Sequence, residues 1–303
     1  MTDLSVRIGK SEFKNPVFSA SGTFGYGIEF TEYFDISRLG AIIVKGLSIE
    51  PVKGNPGPRI FETPSGMLNA IGLQNIGVRN FVKEVMPVLR SLKTTIIANI
   101  YGKMEEEYAA VASVLDDAEG VEGVELNISC PNVKKGGIAF GQDPVAAARV
   151  VSAVKKATGK TVIVKLSPNV SDIVEIAVAV EEAGADGVSL INTLLGMVID
   201  LDSKRAILGS TMGGLSGPAI KPVALRMVFQ VSRSVNIPVI GIGGIMSCRD
   251  ALEFMLAGAS AVQVGTANFI NPRASLEVLD GIISYCEQEN IEKVGAIIGS
   301  LKT

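Results

Sequence analysis

The sequence predicts an α/β protein of the (β/α)8 TIM-barrel class, formed by residues 1–303 as one domain with long loops at the C-terminal face. Three observations lead there. Eight short runs of apolar β-formers recur along the chain, amphipathic stretches of helical period separate them, and a Gly or Ala-Gly stop precedes several of the runs. The unit is plainest where Leu39-Gly40 leads into AIIVKG, where AGAD (183–186) leads into GVSLIN, and where AGAS (257–260) leads into AVQVGT. Repeated αβ units of this kind make a parallel sheet. Eight of them in 303 residues suit a closed barrel better than an open doubly wound sheet, which usually has fewer strands.

In chain order the strands are expected at 17–21, 41–45, 95–100, 123–127, 161–166, 187–192, 238–244 and 261–266. The helices are expected at 28–38, 78–91, 104–119, 144–158, 172–183, 220–235, 249–257 and 276–289. Start signals support several of them: Asp143 before Pro144, Ser171 before an acidic first turn, and a capping-box pair Ser247 and Asp250. Surplus length collects in three loops, 46–77, 128–143 and 193–219, which follow the second, fourth and sixth strands. All three fall on the C-terminal rim, where barrels of this class build their sites.

Composition narrows the chemistry. With 28 basic against 31 acidic residues there is no cationic excess to neutralise a row of phosphates, so nucleic acid is not expected as a partner. The chain has no histidine, which removes Ser-His-Asp and Cys-His catalysis and His-ligated zinc, and no metal site is expected. Acid–base work falls to Cys, Lys, Tyr, Asp or Glu. The three cysteines, Cys130, Cys248 and Cys286, are far apart and too few for an iron–sulfur cluster. Their spacing, an opening MTDLSVRIGK without a signal-peptide pattern and the lack of a long uncharged apolar span lead to the expectation of a cytoplasmic protein.

A barrel strand is buried on both faces, so a polar residue within or ending one needs a reason. Nearly every run has one: Ser21, Lys45, Asn99, Asn127, Lys165, Asn192, the pair Gly243-Gly244, and Gly265-Thr266. Singly, each reads as a strand-end cap; eight around one rim read as a binding site. GIGGI (241–245) and VGTAN (264–268) offer backbone N–H groups where barrels often hold phosphate, although such glycines also serve close helix packing. Met246 stands where a dinucleotide fingerprint needs glycine, so no NAD-binding Rossmann unit is expected in this chain. Lys45 and Lys165 each call for an anionic partner, and three readings stay open: an internal pair with an acid such as Glu125, a Schiff-base lysine, or cations facing an anionic cofactor and a carboxylate substrate. Cys130 in ELNISCPN sits in a polar rim loop that favours a reactive thiol over a buried hydrophobe, whereas Cys248 and Cys286 read as structural.

Taken together, SASGTFGYG, VKGLS, GNPGPRIFETPSGMLNAIGLQNIG, ELNISCPN, KLSPN, INT, GGLSGPAIKP, GIGGI and VGTA closely resemble the dihydroorotate dehydrogenase family, nearly end to end. The wording of KGLS and NPGPR…NAIGLQN, with cysteine where other branches carry serine, is most similar to the catalytic subunit of the NAD-linked class 1B branch. The resemblance implies one FMN per subunit and oxidation of (S)-dihydroorotate to orotate. By position it implies that Ser21, Lys45, Gly46, Asn99, Asn127, Lys165, Ile191, Gly217, Gly243, Gly244, Gly265 and Thr266 line the flavin. Lys45, Asn69, Ala70, Ile71, Gly72, Leu73, Asn127, Asn132, Asn192 and Thr193 would hold the substrate, and Cys130 would be the base. It further implies a heterotetramer, in which a homodimer of this chain joins two electron-transfer subunits carrying FAD and a [2Fe-2S] cluster.

The residue types agree with those roles. Asparagine amides both donate and accept, matching the edge of an orotate ring, and a lysine matches its carboxylate. A second lysine, Lys165, would favour the negative charge that arrives with hydride. Rival readings are a fumarate- or oxygen-linked class 1A enzyme, a dihydropyrimidine dehydrogenase-like enzyme acting on uracil or thymine, from which Lys45 would separate this chain, a Schiff-base aldolase through Lys165, and a non-catalytic scaffold.

Overall fold

The eight apolar runs form eight parallel strands wound into a barrel, in a computed structural model that describes residues 2–129 and 139–302. They are β1 (Val17–Ser19), β2 (Ile42–Leu47), β3 (Ile96–Ile100), β4 (Val121–Asn127), β5 (Thr161–Leu166), β6 (Gly187–Leu190), β7 (Val239–Ile242) and β8 (Ala261–Val264). Each strand pairs with its sequence neighbours, and β8 pairs with β1. Between β1 and β2 the ring closes through a parallel bridge of Phe18 with Ala41, where the Ser19 N–H donates to the Ala41 carbonyl at 3.2 Å. Every residue of β3, β5, β6, β7 and β8 is buried, as a sheet covered on both faces requires.

The helices pack outside the ring. The first covers 78–91, with a wider turn over Phe81–Val85 in its middle. After it come α2 (Glu105–Asp116), α3 (Pro144–Ala157), α4 (Ile173–Glu182), α5 (Lys221–Ser232), α6 (Cys248–Leu256) and α7 (Ala274–Gln288). Asp143 caps α3 by accepting from the Ala146 N–H at 3.0 Å, and Ser247 with Asp250 forms the expected capping box of α6. For α4 the cap is Asp172, which accepts from the Val174 N–H at 2.8 Å, rather than the Ser171 that the sequence suggested.

Three further departures from expectation have local causes. Residues 28–38 form no helix but two 3-10 turns, Ile28–Phe30 and Ile36–Arg38. Aromatic and β-branched residues dominate the stretch, and Asp35 starts a new turn by accepting from the Ser37 N–H. Near the N-terminus Val6–Ile8 and Ser11–Phe13 pair as a hairpin that turns at Gly9. It lies against the N-terminal end of the barrel, with Ser11 Oγ 2.6 Å from Thr161 Oγ1 at the start of β5. The loops after β2 and β6, which the sequence left open as lids over the mouth or plain turns, combine into a four-stranded antiparallel sheet. Its order is Leu194–Met197, Met212–Ser216, Gly66–Asn69, Ile60–Thr63. This small sheet stands over the C-terminal mouth of the barrel.

Candidate active site

Side-chain alternation along the strands decides what reaches the mouth. Glu125 and Asn127 are two residues apart on β4 and so share the inward face, Glu125 one layer deeper. Register sets Asn99 of β3 beside Glu125 and Lys165 of β5 beside Asn127. The Glu125 carboxylate is fully buried and accepts from Asn99 Nδ2 at 2.7 Å, Ser189 Oγ at 2.8 Å and Gln263 Nε2 at 2.6 Å. Lys165 Nζ lies 3.7 Å from Glu125 Oε1 and donates to Ser21 Oγ at 3.3 Å. Five strands thus meet at one carboxylate under the mouth. Such a pair is maintained against its desolvation cost only because every remaining lone pair finds a donor.

Above this floor opens a cavity of about 430 Å³, adjoined on the β7–β8 side by a smaller one of about 80 Å³. The larger is walled by Ser21, Lys45, Gly46, Asn69, Ala70, Ile71, Gly72, Leu73, Asn99, Asn127, Lys165, Asn192 and Thr193. The smaller is walled by Ile191, Gly217, Gly243, Gly244, Gly265 and Thr266 together with Ser21 and Lys165. Every sequence-predicted site residue among the described ones therefore converges here. Cys130 and Asn132 lie outside the described residues.

The two lysines differ. Lys165 pairs internally with Glu125, one of its three readings, and it also lines both cavities. Lys45 makes no side-chain hydrogen bond or ion pair among the described residues. Burial pushes its ammonium below the usual lysine range, the Arg59 guanidinium pushes it further the same way, and Glu29 opposes both. A cation of this kind gains from an incoming carboxylate. Across the cavity, Asn192 Nδ2 donates to Asn127 Oδ1 at 3.3 Å and to Ser129 Oγ at 3.0 Å, and Asn192 Oδ1 accepts from the Thr193 N–H at 2.9 Å.

The glycines at the smaller cavity serve packing as well as openness. Gly244 has φ +73°, and a Cβ there would lie 2.7 Å from Lys221 Cβ and 2.9 Å from the Gly217 carbonyl. Cys286 is buried and its thiol is pushed up by burial, while Cys248 packs against Gly281 of α7, in keeping with structural roles for both.

Thr23, Met67, Gln74, Ser216, Phe269 and Ile60 also line the larger cavity, and residue-by-residue reading did not single them out. Thr23 and Ser216 lie within the motifs SASGTFGYG and GGLSGP and were legible there; Ser216 Oγ accepts from Thr266 Oγ1 at 2.8 Å. Ile60, Met67 and Gln74 likewise lie within the block GNPGPRIFETPSGMLNAIGLQNIG, but Ile60, Met67 and Phe269 carry no polar signal of their own, and the lid sheet and the turn Ala267–Ile270 bring them over the mouth.

An (β/α)8 barrel whose mouth gathers two lysines, four asparagines and a glycine-lined recess is the class of barrel that binds an anionic, hydrogen-bonding ligand at its C-terminal face. The chain belongs to the dihydroorotate dehydrogenase family, whose model matches residues 3–285. It is 60% identical over 301 residues to the "Dihydroorotate dehydrogenase B (NAD(+)), catalytic subunit" of Geotalea uraniireducens, covering 99% of both chains. It is 59% identical to the protein so named from Trichlorobacter lovleyi, over 99% of this chain and 98% of that one, and 57% identical to that of Bacteroides thetaiotaomicron over the whole of both. Among the described residues no helix is long and apolar enough to cross a membrane.

Proposed function

We propose that this chain oxidises (S)-dihydroorotate to orotate in de novo pyrimidine synthesis, as the cytoplasmic catalytic subunit of an NAD-linked assembly. One observation carries the reading: Lys45, Asn69, Asn127, Asn192 and Thr193, from separate strands and loops, face a single cavity. The amides match the ring N–H and carbonyl groups of the substrate, and Lys45, with its depressed proton affinity, gains most from a carboxylate.

FMN suits the same mouth by its chemistry. Lys165 faces the space as a cation, Asn99 and Ser21 add neutral polar groups, and Gly217, Gly243, Gly244, Gly265 and Thr266 leave a side-chain-poor recess for a phosphate. When bound, FMN supplies the acceptor for the hydride that leaves substrate C6. Lys165 would stabilise the arriving negative charge electrostatically, without a covalent bond. As thiolate, Cys130 would take the proton from C5, leaving the C5–C6 double bond of orotate. With three cysteines and no dinucleotide fingerprint, the chain needs a partner to pass electrons to NAD. The words "catalytic subunit" in the relatives' names support one, and we assign it FAD and a [2Fe-2S] cluster, two such subunits joining a homodimer of this chain.

The test is Cys130→Ala. It should leave FMN absorbance intact and lower dihydroorotate oxidation by about 10²–10⁴-fold through loss of the base. Turnover near that of the unaltered protein would defeat the assignment. Assays with NAD and with fumarate, on the chain alone and with its natural associates, separate the NAD-linked enzyme from a self-sufficient one.

A further inference from the structure

We propose that Tyr101 and Asn75, neither of which lines the cavity, are positioning residues for substrate binding through the carbonyl of Leu73. The inference rests on the reading above, in which residues 69–73 contact the substrate, and names what holds that loop in shape. Leu73 sits in the left-handed region, φ +58°, directly after Gly72 at φ +73°. A leucine does not adopt that conformation without external support. Its carbonyl accepts two hydrogen bonds, from Tyr101 Oη at 3.0 Å and from Asn75 Nδ2 at 3.0 Å.

Both donors are themselves fixed. Tyr101 follows β3, and its N–H donates to the Leu47 carbonyl at the end of β2, so its ring stands on the rim of the barrel. Asn75 is buried, and its Oδ1 accepts from the Gly77 N–H at 2.7 Å and the Ser48 N–H at 3.3 Å. Its Nδ2 also lies 2.9 Å from both Tyr101 Oη and Ser48 Oγ, which joins the two donors into one cluster. Elsewhere in the loop, Asn55 takes the carbonyls of Ala70 and Ile71, at 3.0 Å each. The carbonyls of Ala70, Ile71 and Leu73 are therefore occupied by groups outside the cavity. Among the described residues the N–H groups of Ile71, Gly72 and Leu73 donate to no protein acceptor, which leaves them for a ligand.

The experiment uses the FMN-loaded protein and orotate, with affinity measured by calorimetry and dihydroorotate oxidation in parallel. Tyr101→Phe removes one donor at constant shape and should weaken orotate binding about three- to tenfold, raising KM with kcat and FMN affinity unchanged. Asn75→Ala should act in the same direction, and the double variant should lose more than the product of the two, because the carbonyl then has no donor left. Unchanged orotate affinity in Tyr101→Phe would overturn the proposal, as would an equal fall in kcat with loss of FMN, which marks a general structural role. If the unaltered protein binds FMN but not orotate, the reading of the site fails instead. Should Asn75→Ala not fold, Tyr101→Phe alone decides.

Discussion

The floor and the roof of the cavity are built in opposite ways. Below, Glu125, Lys165, Asn99, Ser189 and Gln263 are buried side chains from five barrel strands, locked together by hydrogen bonds across the ring. Above, the lid sheet carries Leu195, Met197 and Met212 on an exposed surface, and only a few of its side chains, such as Leu68, are buried. A barrel strand surrounded on both sides holds its polar groups to one geometry. A single-sheet lid with one wet face is free to vary in side chain while its backbone keeps the mouth covered. The floor therefore tolerates change least.

The sharpest way to break that contrast is Glu125→Ala. It leaves the Lys165 ammonium, only 7% exposed, without its carboxylate and removes the shared acceptor of three donors. The expected loss is about 3–5 kcal/mol in a denaturant titration; a loss as small as that of a surface substitution would show the floor to be no more rigid than the roof. Between floor and roof stands Lys45, whose depressed proton affinity comes from burial and Arg59. A bound carboxylate favours the charged form, so orotate affinity should fall as pH rises past the lowered lysine value, by up to about tenfold per pH unit. The same titration on Lys45→Met should be flat over that range. The alkaline loss opposes the gain expected as Cys130 ionises, so kcat/KM should be bell-shaped in pH. The smallest effect belongs to the roof: Met197→Ser, at a half-exposed position, should move stability by no more than about 0.5 kcal/mol in a melting experiment.

How much of this was legible follows the same division. Asn99, Asn127 and Lys165 stood out because a polar residue in an apolar parallel strand is conspicuous, and strand alternation places each on the inner face. Glu125 was visible as a possible partner of Lys165, but its three further donors come from β3, β6 and β8, up to 138 residues away, and no local pattern joins them. Residues 28–38 looked amphipathic but lacked the propensity and the caps to propagate a helix, and tertiary packing settled for two short turns. The lid sheet was not legible as one unit because it joins two local pairs, Ile60–Thr63 with Gly66–Asn69 and Leu194–Met197 with Met212–Ser216, through a pairing of Gly66–Asn69 with Met212–Ser216 that spans about 146 residues, and runs this short read as loop.

Taken alone, the amino-acid order determined the eight parallel strands, seven of the eight expected helices, the polar rim and the family. Those follow from periodicity and residue type, which act over one element at a time. Closure of the ring, the meeting of five strands at Glu125 and the grip of Tyr101 and Asn75 on Leu73 were decided by tertiary structure. Each depends on groups distant in sequence being desolvated together, and their hydrogen bonds gain strength only once the barrel has excluded water.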